Sequence, residues 1–552
     1  LIHCGAMSQT VAPLRIRRFR TLWITSIFSN VGSFLQSVAG AWLMLELTGS
    51  ATWVGLMVAS TTLPLLFLAL AAGAVADLAN RGKVLLVSQS LMGLAAAGMA
   101  VLSFLDLVTP GRLLGLSLLL GVGVAFNLPA WQAMVPDLVP RGMVASAVAL
   151  NSVAFNVARA VGPALGGLIV ATAGPELAFG LNALSYLGVI VVLAALAGDF
   201  QAADQESSSV ANAIANGIRF ARFTKPFRML LLLAALFAIT SSVVQSVLPS
   251  RTEDLGGSAD TYGLLLGAMG LGALVGAFTR RRVVEALAGR SIPVTITLFG
   301  IAGIATGLAQ STWIAAGPLF LAGATWVWTL TTTNATAQLM SPEWVRGRAM
   351  SLYSLAFVGI LPLGSILAGA LADLVGSGTA MVVLSAGAVI LGAAAPRFGI
   401  PALAEVQTPE FSDRYSPDPH VDTEGGPVMI VNTWSIDGRR LDDFLTLMNE
   451  VRLVRLRTGA YRWRLYRNAS DPHRLSELFL TVSWAEHLAQ HGRIDDASAD
   501  LLRKAREFDV EDGPITRHLV AVDVEDPEDW EPLLAAHEEF HRNDGSIPLS
   551  SD

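Results

Sequence analysis

The chain is poor in charge and almost without cysteine. Of its 552 residues, 15% are Asp, Glu, Lys or Arg, where a soluble globular chain carries about 25%. Cys4 is the one cysteine, which excludes an intramolecular disulfide and a cysteine-based metal site. No His/Asp/Glu grouping suggests a metal either. No Walker-type phosphate loop is present, so direct drive by ATP is not expected; GVGVAF at 121–126 is glycine within an apolar run. There is no basic excess, the net charge being −7, and nothing points to nucleic acid.

What is present is hydrophobicity: 53% of the residues, with a mean hydropathy of +0.54. It is unevenly spread. Up to about residue 398 the sequence is a train of apolar runs of about 20 residues, the length that crosses hydrocarbon; after that, charge returns. The expected architecture is an all-α polytopic membrane protein followed by a soluble domain, with the lipid bilayer as its first partner.

Twelve spans are read, over 21–45, 52–76, 84–104, 112–135, 145–172, 177–197, 228–250, 261–279, 292–310, 313–338, 348–372 and 378–397. Cations fall on one side of them. Arg15, Arg17, Arg18, Arg20, Arg81, Lys83, Arg141, Arg219, Arg222, Lys225, Arg228, Arg280, Arg281, Arg282, Arg290, Arg346, Arg348 and Arg397 share that side; Arg112 and Arg251 alone take the other. The positive-inside rule then places both termini in the cytoplasm of a cell whose inner membrane the chain crosses. The arginines before a long first span suit a retained anchor rather than a cleaved signal, and Met7 offers a start within the given sequence.

The longest polar break before residue 398 is 198–227, and it separates six spans from six. The domains read as an N-terminal segment 1–20, six-helix bundles 21–197 and 228–398 around the central loop 198–227, a linker 399–427 with five prolines, a soluble domain 428–522 and an acidic tail 523–552. The halves look like copies. Pro136-Asp-Leu-Val-Pro-Arg141 leads into the fifth span, which ends at Gly174; Pro342-Glu-Trp-Val-Arg346 leads into the eleventh, where Pro362, Gly364 and Gly369 precede Gly376. Such repeats place a site at the interface between halves.

The fifth span carries the most unusual constellation. At 100° per residue, Ser152, Asn156, Arg159, Gly162, Pro163 and Gly166 share an arc of about 120°, with Gly167 beside them. A charge in hydrocarbon costs at least about 2.5–3.5 kcal/mol, so this face is expected to meet protein or a wet cavity. Arg159 lies about 14 residues into its span, too deep to snorkel easily. It is a fixed ion-pair partner, a cavity cation for an anionic substrate, or a residue snorkelling to the cytoplasmic side; a bonded structural or coupling role is favoured over direct substrate binding, with the glycines and Pro163 as packing and hinge elements.

Between the second and third spans stands Gly73-Ala-Val-Ala-Asp77-Leu-Ala-Asn-Arg81-Gly-Lys83. Asp77 is suited to accept from the amides opening the next helix or to pair with a basic residue. Twelve spans in two halves with this loop resemble the major facilitator superfamily, and Gly162-Pro163-x-x-Gly166-Gly167 is similar to its antiporter motif. Ser146 to Gly167 and the PDLVPR lead-in resemble the branch containing the enterobactin exporter and related secretion transporters. The resemblance covers about residues 14–398. The second-half copy of the loop has Gly276 and Arg280–Arg282 but no aspartate. It implies a secondary transporter working by alternating access, an antiport-type proton gradient as its energy source, no bound cofactor, and gating by Asp77, Arg81 and Lys83.

The resemblance also implies that spans one, four, seven and ten line the path. Their polar residues are Asn30, Ser33 and Ser37; Asn127 and Trp131; Ser241 and Gln245; and Trp326, Thr329, Thr333 and Asn334. The bland alternative for each Ser and Thr is a bond to its own helix backbone. No carboxylate lies midway along these four spans. Glu46 at the outer end of span one is the best candidate proton carrier, against a solvated loop role, and Asp373 closes span eleven.

Beyond the linker the pattern becomes strand Val428–Ile436, helix Arg439–Arg457, strands Ala460–Arg467 and Leu475–Ser483, helix Ala497–Phe508 and strand Arg517–Val522. This βαββαβ order suggests a ferredoxin-like α+β sheet. It resembles the dimeric α/β-barrel domains of antibiotic-biosynthesis monooxygenases, which implies a homodimer contact. Asn432, Trp484 and His491, with His487 nearby, resemble the Asn/Trp/His set of haem-degrading members. The competing reading is that Trp434 and Trp484 pack a core and the histidines lie on a helix surface; it is favoured, so no enzyme activity is expected. The expected function is export of small molecules of siderophore or drug type. The alternatives are an enzyme or sensor acting through 428–522 and a lipid or lysophospholipid transporter.

Overall fold

The apolar runs become helices because hydrocarbon offers backbone amides and carbonyls no partner, and a helix satisfies them within one segment. A computed structural model describes residues 11–78, 80–134, 138–196, 210–287, 289–342, 344–401, 427–511 and 513–521. Cys4 and Met7, Pro136, the 197–209 stretch, the linker 402–426 and the acidic tail lie outside the described residues, as do the side chains of Asp77 and Arg141. The chain forms two compact units: residues 1–208, 229–340 and 350–406, and residues 209–228, 341–349 and 407–552.

In the first unit the helices are α1 (Arg17–Thr48), α2 (Ala51–Leu78), α3 (Arg81–Phe104), α4 (Pro110–Met134), α5 (Val144–Ala173) and α6 (Pro175–Leu196). After α7 (Val210–Phe223), which belongs with the second unit, come α8 (Lys225–Asp254), α9 (Ala259–Ala286), α10 (Ser291–Leu308) and α11 (Thr312–Met340). Then follow α12 (Arg346–Phe357), α13 (Leu361–Val375) and α14 (Ser377–Ala394). Among the described residues, eleven helical stretches are long and apolar enough to cross a membrane, α12 and α13 counting as one. The first helix, α1, has the length, at 32 residues, but is interrupted by Ser, Asn and Gln and is not among the eleven.

The eleventh run is not the single helix its hydropathy suggests. It breaks at Val358–Ile360, because Pro362 has no amide to donate and its ring crowds the preceding turn. Pro163, by contrast, stays inside α5. The repeat between halves extends to the backbone: Gly174 after α5 has φ 82° and ψ 164°, and Gly376 after α13 has φ 87° and ψ 152°. Glycine alone adopts that conformation readily, which is why each span ends on one.

In the second unit β1 (Val428–Ser435), β2 (Arg462–Arg467), β3 (Arg474–Thr481) and β4 (Ile515–Val520) form one antiparallel sheet in the order β2-β3-β1-β4. Its helices are α15 (Leu441–Thr458), α16 (Trp484–His491) and α17 (Asp496–Arg506). The expected strands and helices appear within a few residues of their expected ends. The register pairs Ile430 with Phe479 and His518, and Asn432 with Glu477 and Thr516. Paired residues point to one face, so these side chains share the helix-covered side. There Trp434, Phe444, Met448 and Val451 form the core.

Glu477 is fully buried in that layer. It accepts from Trp463 Nε1 at 2.9 Å, Asn432 Nδ2 at 2.7 Å and Arg455 Nε at 3.3 Å. A buried carboxylate is tolerable only when it is so satisfied. Glu477→Ala leaves Arg455 unpaired and is expected to destabilise the sheet by about 3–5 kcal/mol. Hydrogen exchange of the β1 and β3 amides in the full chain reads this; protection unchanged from wild type would refute it.

Candidate functional site

In lipid, helices associate by close packing, and small residues let backbones approach. The glycines of α5 do this on two sides. A Cβ at Gly162 would stand 2.6 Å from the Cβ of Phe34, and one at Gly166 would stand 3.0 Å from the Cα of Leu35, so both seat α1. Gly167 faces α9, where a Cβ would lie 2.7 Å from the Cα of Gly263. A Cβ at Gly263 would meet the Pro163 carbonyl at 2.6 Å, and one at Gly270 the Cα of Ala160 at 2.6 Å. Because Pro163 has no N–H, the Arg159 carbonyl loses its usual helical donor; Gly270 approaches this carbonyl too.

The second seam joins α2 to α13. Gly55 abuts the Ser365 carbonyl and Gly369 the Ala51 carbonyl. Here Asp373, at the last turn of α13, accepts from Ala51 N at 2.7 Å, Thr52 N at 3.0 Å, Ser50 Oγ at 2.6 Å and Thr52 Oγ1 at 2.5 Å. The opening amides of a helix lack intrahelical partners and carry partial positive charge. Asp373 therefore caps α2 from the other half of the molecule. Both glycine seams lie towards the end of the bundle where α5 and α13 finish and α2 and α9 begin.

Arg159 has no carboxylate partner among the described residues. Its guanidinium lies 5.9 Å from the ring centroid of Trp326 on α11, a cation–π arrangement. The ion-pair reading of Arg159 is thus not met by any described acid. Trp326 is buried, its indole N–H has no partner among the described residues, and Phe237, Phe299 and Phe357 surround it at centroid distances of 5.6–5.9 Å. These three phenylalanines, from α8, α10 and α12, escaped sequence reasoning because a phenylalanine in an apolar run carries no positional signal.

The candidate lining residues divide by what they bond. Ser33 Oγ bonds Ser29 O and Tyr186 OH. Asn127 Oδ1 accepts from Gln89 Nε2 at 3.0 Å. Ser241 donates to Ala238 O. Thr329 donates to Thr295 Oγ1 at 2.9 Å, and Thr333 bonds Thr329 O and Tyr353 OH. Trp131 packs beside a core containing Phe19 and Leu22. These groups are occupied within the protein. Asn30 and Gln245 are half-buried with no side-chain bond to a described residue, and Ser37 is exposed. Asn334 accepts from Gln338 and, with Arg280, Thr331 and Tyr353, lines a cavity of about 490 Å³.

At the loop motif Asn80, not singled out in the sequence, caps α3: its Oδ1 accepts from Lys83 N at 3.1 Å. Arg81 opens α3 and Lys83 is exposed in its first turn. Asp77 lies in the last turn of α2. Glu46 accepts from Trp42 Nε1 at 2.6 Å.

In the second unit Asn432 and His491 line a cavity of about 700 Å³, together with His487 and His518. Trp484 stands behind His487 and His518, at centroid distances of 5.4 and 5.3 Å. The expectation of surface histidines fails for His487, which is 2% exposed: the short α16 turns it onto the sheet. Among the described residues no three acids, histidines or cysteines are disposed to hold a metal.

The family model for transmembrane secretion effectors matches residues 8–526. The chain belongs to this family. Among curated relatives, the multidrug efflux pump Tap of Mycolicibacterium fortuitum is 27% identical over 67% of this chain and 93% of its own. The enterobactin exporter EntS of Salmonella typhimurium is 25% identical over 68% and 90%. Of solved structures, a bacterial homologue of the human lysosomal transporter Spinster, inward-facing and unoccupied, superposes with a TM-score of 0.59 at 15% identity, over 72% of this chain and all of that one. This family member is a secondary transporter that exports small molecules.

Removing the Asp373 cap is expected to cost the seam about 0.5–2 kcal/mol, a shift of roughly 2- to 30-fold in the closed-to-open ratio of that end. Distances between spin labels beside Gly49 and Gly376 in nanodiscs would report it for Asp373→Ala, and for Gly263→Leu, which has no room. Unchanged distance distributions in both variants would refute the clasp.

Proposed function

We propose that the chain is a twelve-span exporter of the cytoplasmic membrane that carries moderately polar, siderophore- or drug-like molecules outward by alternating access. The observation that carries this reading is the pair of glycine seams with the Asp373 clasp, which hold the two halves together at one end of the bundle. The distribution of arginines assigns that end to the periplasm and both termini to the cytoplasm. The conformation is then one that receives cargo from inside, and α1 supplies the twelfth span.

Arg159, held over Trp326 without an acid partner, is the cation that an anionic or carbonyl-rich cargo would meet. Asn30, Ser37, Gln245 and Asn334 carry polar groups not committed elsewhere in a way that prevents cargo contact. Ser33, Ser241, Thr329 and Thr333 serve packing instead. Drive by the proton gradient rests on the family resemblance; Asp77, Arg81 and Lys83 are read as the gate at the cytoplasmic end. The relatives named for multidrug efflux and for enterobactin support the cargo class. The second unit, with its β2-β3-β1-β4 order, is read as ferredoxin-like.

Cargo accumulation in a deletion strain, with and without an uncoupler, tests the core of the proposal. Export is expected to fall on uncoupling and to collapse by about tenfold or more in Gly162→Leu, where a side chain meets Phe34, and in Asp77→Asn. Undiminished transport in both variants would reject the gate and hinge assignments; uncoupler-insensitive export would reject the proton drive.

A further inference from the structure

We propose that the cavity of the second unit binds a small planar organic anion, and that α16 relays its occupancy to the Ser341–Ala349 segment, so that the unit senses a ligand for the transporter. The inference goes beyond the export reading, which assigns this unit no ligand.

The cavity has the size of a small-molecule site, about 700 Å³. Its floor is flat and aromatic: Ile430, Trp434 and Phe479 from the sheet, with Arg455 stacked 4.6 Å over the Phe479 ring. Its polar groups are donors in excess. Arg455 commits only Nε, to Glu477, and its terminal nitrogens bond no described residue. Trp434, 3% exposed, has an indole N–H with no partner among the described residues. Asn432 is spent on Glu477 and Thr516, and Glu477 already accepts from Trp463, Asn432 and Arg455. An acceptor-rich, flat ligand complements such a wall.

The histidines set the charge. His487 and His491 face each other, Nε2 to Nε2, at 3.4 Å, and the His518 ring lies 4.9 Å from that of His487. Burial and mutual repulsion, with Arg455 adding to both, push His487 down to about 3, while burial and Arg455 push His491 down to about 4. His518 is lowered by burial. His487 Nδ1 has no partner among the described residues. Lining the cavity with the cluster are Arg455 from α15, His518 from β4, and Asp496, Asp500, Arg503 and Arg506 from α17; buried Glu477 from β3 lies behind Arg455, bonded to its Nε. Asp500 is paired with Arg503 and Lys504. His487 and His491 are therefore neutral near pH 7 in the ligand-free protein. An anion raises their pKa, so binding takes up a proton and strengthens as pH falls towards the free-state values.

The readout lies on the neighbouring face of α16, about 100° round from His487. Glu486, next to His487 in the chain, forms a two-pronged pair with Arg493 at 2.5 and 3.0 Å. Asn216 of α7 donates to the same carboxylate at 3.3 Å. The Arg493 guanidinium lies 4.5 Å over Trp344, which meets Phe220 edge-on at 6.3 Å. Trp344 precedes α12, and α7 runs into α8. Any shift of α16 against a ligand thus moves groups continuous with two membrane helices.

The test uses the full chain in nanodiscs with 3-hydroxy-2-naphthoate as probe and its methyl ester as control. Saturable binding is expected, weakened about tenfold for the ester and about tenfold in Trp434→Phe, which deletes one donor, or in His491→Gln, which deletes the group that gains the proton. Calorimetry in two buffers should show proton uptake near pH 6. Exchange of the 341–349 amides should slow on binding in wild type and not in Glu486→Gln. Equal binding of acid and ester, binding indifferent to both cavity variants, or no saturable binding below about 1 mM would overturn the site. Probe binding without a change at 341–349 would overturn the relay. Export in the absence of probe is measured alongside, so failure of the site leaves the export reading standing or falling by itself.

Discussion

Two half-bundles that touch through glycine can hold firmly and still separate. Apolar side chains give little net attraction in a medium as apolar as themselves, so the hold depends on how near the backbones come. The α5–α9 seam illustrates it: Gly167, Gly263 and Gly270 admit Pro163 and Ala160 to distances that no side chain permits. Nothing interlocks across such a surface, so parting it breaks no side-chain jigsaw. What distinguishes one end of the bundle from the other is then the few polar contacts added to the seam, and Asp373 on the start of α2 is the strongest of these among the described residues.

Arg159 belongs to the same construction. Its position one turn before Pro163 puts a cation and a freed carbonyl at the same level of α5, beside α9 and under Trp326. A guanidinium over an aromatic face is stabilised without a fixed anion. The arrangement keeps the charge available, where a salt bridge would have consumed it.

The helices, their order and the duplication were legible in the sequence, since hydropathy and the PDLVPR and PEWVR lead-ins depend on local residue types. The strands of the second unit were legible for the same reason. Contacts between distant residues were not. Asp373 is 322 residues from Ala51, and its sequence context reads as the end of a span. Asn80 stands immediately before Arg81, where a helix cap belongs, but the aspartate three residues earlier is the more conspicuous acceptor in the motif. Serines and threonines were legible only as alternatives: Thr333 and Ser241 have the composition of a cavity wall and the geometry of packing. His487 was misplaced because a helix of eight residues has too short a period to show which face is buried.

The clasp also constrains how the two ends of the bundle communicate. Helix α2 carries Asp373's bonds on its first turn and Asp77 in its last. A carboxylate at a helix's own C-terminal end is unfavourably placed against the dipole and gains most when it meets the amide end of another helix. Asp373 has that gain already. Between these two turns α2 contains Pro64, which removes one backbone bond and bends a helix. A displacement of the first turn is therefore carried along α2 only as far as that bend transmits it.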